Sequence, residues 1–177
     1  MKCLVWIMVM FYSFFATQVA QAQELHGFNI DNGKLIWQMV FSSDKSMDEM
    51  TIEFRQSKAI QQLESSGYIL TGKLINLDVD YKGAGFSWTA TPDYVLFNDV
   101  SAFFSVEFEE GRYRVTVDQV YLKEKNTDPQ TGIRVTLLST HVLKKGRYKS
   151  SFKKSGAELY NYTFSQLFEP RVENKEW

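Results

Sequence analysis

Two histidines, His26 and His141, are the side chains of this sequence best suited to proton transfer near neutral pH. Neither has a neighbour at a spacing that would orient it. His26 falls in the leading tail and His141 near the end of an expected strand, so both read as surface or structural residues. Ser42, Ser43, Ser101 and Ser105 lack the Gly-x-Ser-x-Gly setting that lifts a serine into a nucleophile elbow. Asn76-Leu77-Asp78-Val79-Asp80 with Gly83 places oxygen ligands at alternate positions, as a hard cation requires. A calcium loop also needs glycine directly after the third acidic position and glutamate at the twelfth. Tyr81 and Ser87 stand there instead. Glu107 and Glu109 could form the carboxylate pair of a glycosidase, but Arg112 and Arg114 lie within hairpin reach of them. An adjacent guanidinium stabilises the ionised carboxylate and spoils it as an acid. Asn161-Tyr162-Thr163 matches a glycosylation acceptor inside an expected helix and carries no weight. No catalytic residue, metal site or cofactor site is therefore assigned.

The elements that must position any site follow from periodicity. Gly33 to Phe41 alternates, with Trp37, Met39 and Phe41 on one side and Ile36, Gln38 and Val40 on the other, which predicts a first strand apolar on both faces. Ser46-Met47-Asp48-Glu49 is a capping box and opens a helix expected to reach about Ser66, with Gly67 ending it. Ile52, Gln56, Ala59, Ile60 and Leu63 form its core-facing stripe. Met47, Met50 and Phe54 then lie on another side and make a candidate partner surface, unless the helix is buried from both sides. Tyr68 to Val79 predicts a strand, and Phe86–Thr91 and Tyr94–Phe97 are weaker strand candidates around Pro92.

Ser101 to Leu122 predicts a hairpin with a definite register. With Glu110-Gly111 as a two-residue turn, Glu109 meets Arg112, Glu107 meets Arg114, Phe108 meets Tyr113, Val106 meets Val115 and Phe104 meets Val117. One face is apolar and the other carries matched opposite charges, and a slip by one residue would destroy both patterns. Glutamate is unusual at a turn position that needs positive φ, so a wider loop is the alternative. A polar connection over residues 126–132 leads to a strand over Ile133–Leu137. A second capping box, Ser155-Gly156-Ala157-Glu158, opens a last helix that Pro170 stops.

The sum is an α+β domain: a single antiparallel sheet of five to six strands with helices packed on one face, in strand-helix-strands-helix order. The domain spans 23–170, with a C-terminal strand and helix over 131–170 and a tail over 171–177. Ahead of it, Lys2, the apolar run from Cys3 to Met10 and Ala20-Gln21-Ala22 form a cleavable signal peptide over residues 1–22. Cleavage removes the only cysteine, Cys3, and Lys2, which leaves a slight acidic excess and no clustered basic face of the kind nucleic acid requires. The one local exception is Lys144-Lys145-Gly146-Arg147 with Lys149, Lys153 and Lys154, read as a solvated linker face with an anionic-ligand patch as the alternative. No later stretch is apolar and long enough for a stable membrane anchor.

The segment Asp31-Asn32-Gly33-Lys34-Leu35-Ile36-Trp37-Gln38-Met39-Val40-Phe41, followed by Ser46-Met47-Asp48-Glu49-Met50 and then Gly111-Arg112-Tyr113-Arg114, resembles a family of exported bacterial proteins catalogued as a domain of unknown function with a TATA-binding-protein-like fold. The resemblance covers about residues 31–123. It implies a strand-helix-strands layout and no known activity. The functional expectation is a periplasmic or secreted, non-enzymatic interaction or accessory module whose open sheet face or first helix meets a protein, peptide or glycan. A carboxylate-based envelope hydrolase and a structural subunit of a surface assembly are the alternatives.

Overall fold

The structure is a computed structural model that describes residues 25–125 and 132–170. The expected signal peptide, most of the polar connection and the expected tail lie outside the described residues. Two short strands and a capped helix begin the fold: β1 (Phe28–Asp31), β2 (Lys34–Ser42) and α1 (Met47–Arg55). Two strands follow, β3 (Ile60–Ser66) and β4 (Ile69–Leu77), then a helical turn over Trp88–Ala90 and the short α2 (Asp93–Leu96). The long pair β5 (Asn98–Glu109) and β6 (Arg112–Glu124) forms the centre. After it come β7 (Val135–Leu137), α3 (Leu138–Val142), the small hairpin β8 (Leu143–Lys144) and β9 (Arg147–Tyr148), a π-helical turn over Phe152–Gly156, and α4 (Ala157–Phe168). The main sheet has seven antiparallel strands in the order β1-β2-β6-β5-β4-β3, with β7 paired to the far end of β6.

The central hairpin has the register that its charges demand: Glu109 opposite Arg112, Glu107 opposite Arg114, Phe108 opposite Tyr113, Val106 opposite Val115 and Phe104 opposite Val117. The turn is the tight one. Glu110 avoids the left-handed region and Gly111 alone supplies it, at φ +74.

The core lies on one side of the sheet. Across it run Phe28, Trp37, Val117 and Phe104, register partners from β1 to β5, beside a row of Met39, Val115, Val106 and Leu70. Helix α4 covers them with Tyr160, Phe164 and Phe168, all fully buried, and each such side chain contributes roughly 1.5–3 kcal/mol by leaving water. The Trp37 ring lies 5.4 Å from Phe164, and its Nε1 donates to Asn161 Oδ1 at 3.0 Å, so the one polar atom of the ring is satisfied. The Tyr113 hydroxyl donates to the Phe168 carbonyl, one of the acceptors left over where α4 ends.

Four expectations need correction. The first helix starts at its capping box, where Glu49 N donates to Ser46 Oγ at 3.3 Å, but it stops at Arg55 and not near Ser66. Ser57 Oγ accepts from Ala59 N at 3.3 Å, a local bond that competes with the helical ladder, and residues 60–66 pair as a bulged strand on the edge of β4 instead. With the helix shortened, the proposed stripe cannot form: Ile52 is 60% exposed while Met50 and Phe54, at 0% and 3%, are the pair that faces the core. The segments around Pro92 are helical turns and not strands, since Pro92 at φ −62 starts α2. The second capping box does not cap. Ser155 already lies in the π-helical turn, its hydroxyl donates back to the Ser151 carbonyl at 3.4 Å, and Phe152, packed 5.1 Å from Phe28, starts the helical path earlier.

Candidate functional site

The helices leave the second face of the sheet uncovered, and strand register determines which side chains meet there. One row crosses Gln61, Lys73, Phe103 and Asp118 from β3 to β6. The next crosses Glu64, Thr71, Ser105, Thr116 and Gln38 from β3 to β2. The third crosses Ser66, Ile69, Glu107, Arg114 and Val40. Apart from Gln61 and Gln38, the first two rows line a groove of about 430 Å³. Its floor is hydroxyls, with Thr71, Ser105 and Thr116 in one row, and Gln38, beside the groove, donates from Nε2 to Thr116 Oγ1 at 2.9 Å. Phe103, 39% exposed, stands over it with the Lys73 ammonium 5.0 Å from its ring centroid.

Each end of the groove is bordered by a bulged strand. In β3 three residues from Gln61 to Glu64 span two of β4, and in β6 three residues from Asp118 to Tyr121 span two of β5. The extra residue is accommodated by a glutamine in the left-handed region in both strands, Gln62 at φ +54 and Gln119 at φ +47. That conformation costs a side-chain-bearing residue roughly 1–2 kcal/mol. The bulges twist the flanking strands and re-aim their amides toward the same groove.

Two carboxylates, Glu64 and Asp118, also border the groove. They sit on β3 and β6, three strand spacings apart, or roughly 14 Å across the sheet at about 4.8 Å per spacing. The paired carboxylates of a glycoside hydrolase stand about 5–9.5 Å apart, closer than these two strands place Glu64 and Asp118.

The remaining candidate residues have structural employment. Glu107 and Arg114 form an ion pair at 2.5 Å, and so do Glu109 and Arg112, both on the exposed end of the central hairpin. Met47 is half-buried and Met50 and Phe54 are buried, with Phe54 packed edge-on 5.7 Å from Phe168, so the partner surface expected on this helix is corrected to a core contact. His141 belongs to α3 and not to a strand; its Nε2 lies 2.8 Å from Thr136 Oγ1. Burial, and then the Lys149 charge, lower its pKa below the ordinary 6.5. His26 occupies an exposed turn at φ +50. Asp80 Oδ1 accepts from Gly83 N at 2.8 Å and Asp78 pairs with Lys125, which accounts for the acids of the calcium-like segment. Among the described residues no group of three or more His, Cys, Asp or Glu is placed to hold a metal ion.

The groove residues escaped the sequence reading although one signal for them was present. The register that pairs Phe104 with Val117 also sets Phe103 against Asp118, which puts an aromatic ring on the charged face. A phenylalanine out of phase with its core neighbours marks a surface that keeps it there.

No family model matches the sequence, and a search of the curated proteins gives no match. Among solved structures the chain is similar to a TBP-like protein from Parabacteroides distasonis, with a TM-score of 0.42 and 10% identity over 78% of this chain and 92% of that one. It is also similar to a DUF4468 family protein from Bacteroides ovatus, with a TM-score of 0.46 and 9% identity over 84% of this chain and 94% of that one.

Proposed function

We propose that the chain is an exported, non-enzymatic accessory domain that binds a glycan on its open sheet face. One observation carries this reading: two strands spend backbone strain to border a single groove in which an exposed ring, Phe103, stands beside rows of hydroxyls and amides. Strain of this kind is retained where the surroundings over-determine it, as at ligand sites. The ring face attracts the polarised C–H groups of a sugar, while Thr71, Ser105, Thr116 and the Gln62 and Gln119 amides match its hydroxyls as donors and acceptors. The wide spacing of Glu64 and Asp118 favours binding over hydrolysis. Export is part of the proposal and rests on the pattern of residues 1–22.

The test is calorimetry of the chain from residue 23 onward against a panel of neutral oligosaccharides, followed by the Phe103→Ala variant. A saccharide that binds the parent should bind the variant roughly tenfold more weakly, about 1.4 kcal/mol. Equal affinity for parent and variant would remove the groove from the account, and binding to none of the panel would remove the glycan.

A further inference from the structure

The basic run is not a linker. Residues 143–148 form the β8–β9 hairpin, with Leu143 opposite Tyr148 and Lys144 opposite Arg147. Tyr148 is buried at 8% exposure, with its ring 5.5 Å from Phe152, and Lys149 N donates to the Val142 carbonyl at 2.8 Å, so the hairpin is fastened to the core. What it presents outward is charge. Residues 144–154 hold six basic side chains and no acidic one, in a chain whose formal net charge is −1.

Two features load this hairpin against its own stability. Lys144 and Arg147 are like charges directly opposite each other on adjacent strands, which is unfavourable. The turn needs positive φ at both central positions, and Lys145 occupies the first at +51 where asparagine would be at ease. None of Lys144, Lys145 and Arg147 makes an ion pair with a described residue. The three are exposed, and with Lys149 they rim a depression of about 830 Å³. A phosphate-rich surface relieves the repulsion by neutralising both strands at once.

We propose that this hairpin seats the chain peripherally on a bilayer of anionic phospholipid, with its lysines and Arg147 meeting headgroup phosphates. Clusters of roughly 4–8 basic side chains recognise such surfaces, and the four that rim this depression, Lys144, Lys145, Arg147 and Lys149, reach that range. The cations are spread along an exposed turn on long side chains, which suits a plane of many phosphates better than one enclosed anion. No helix among the described residues is long and apolar enough to cross a membrane, so the contact is a surface one. It is independent of the sheet groove.

Co-sedimentation of the chain from residue 23 onward with phosphatidylcholine vesicles, with and without phosphatidylglycerol, tests it, with soluble polyphosphate as a third arm. The expected result is binding only to the phosphatidylglycerol vesicles, weakening as salt is raised and falling at least about tenfold in the Lys144→Gln, Lys145→Asn, Arg147→Gln variant. The variant removes the like-charge pair and puts asparagine at the left-handed turn position, so a melting temperature no lower than the parent's should accompany that loss. Equal binding to neutral vesicles, no binding to anionic ones, capture by polyphosphate alone, or full binding by the triple variant would each overturn the proposal.

Discussion

At the scale of single residues, the account depends on which side chains the core has claimed. Met50 and Phe54 are claimed: replacing both with glutamate buries two charges in the core, the second of them against Phe168, and should abolish cooperative unfolding, since even truncating one such side chain costs about 2–5 kcal/mol. A melting temperature unchanged from the parent would return that helix face to solvent. Gly156 is claimed in a different way. A Cβ placed there would lie 2.2 Å from the Tyr94 hydroxyl and 2.8 Å from the Phe152 ring, so Gly156→Ala should destabilise by about 1–3 kcal/mol. Adding Tyr94→Phe removes the nearer clash, and chemical denaturation of the double variant should recover part of the loss; additive losses would place the strain elsewhere. His141 links the fold to pH. Its pKa in the folded state lies below the ordinary 6.5, so the unfolded chain binds the proton more readily. Stability is therefore fully present above that ordinary value and falls as the pH drops through it toward the folded value. A series of thermal melts should show this fall in the parent and a smaller one in His141→Gln.

At the scale of elements, legibility followed the number of constraints that agreed. The central hairpin could be read residue by residue because apolar parity and charge pairing select the same register. The start of α1 was legible because the capping box is a local bond pattern within four residues. Its end was not, because Gln, Glu and Leu over residues 56–66 favour a helix locally while the vacant edge of β4 offers that segment strand pairing. Edge strands are short and polar by nature, and β1 and β3 hid for that reason. The bulges were invisible in the same way: nothing in Gln62 or Gln119 announces positive φ. They make a separate prediction. Gln119→Gly removes the left-handed penalty and should raise stability by about 1 kcal/mol, while it takes an amide from the groove and weakens saccharide binding. A stability loss in denaturant titration would show that the side chain is anchored by contacts that outweigh its backbone strain.

At the scale of the whole molecule, a sheet with helices on one side has two faces with different employment. The covered face is filled by aromatic rings in continuous contact from Phe28 through Trp37 and Phe164 to Phe168 and Phe104, and it needs no disulfide to hold it. The open face keeps its polar rows and Phe103 in solvent. The sequence made the α+β architecture legible, because alternating strands and the capping box that opens α1 are local patterns that survive averaging over a chain. It did not disclose the groove, since a groove is a product of register across four strands, of which β3 was read as helix. The most direct measurement is a residue-resolved NMR titration of the chain from residue 23 onward with a saccharide that binds it. The shifted amides should cluster on Thr71, Phe103, Ser105, Thr116 and Gln119. Shifts confined to the β8–β9 hairpin or to the helical side would contradict it.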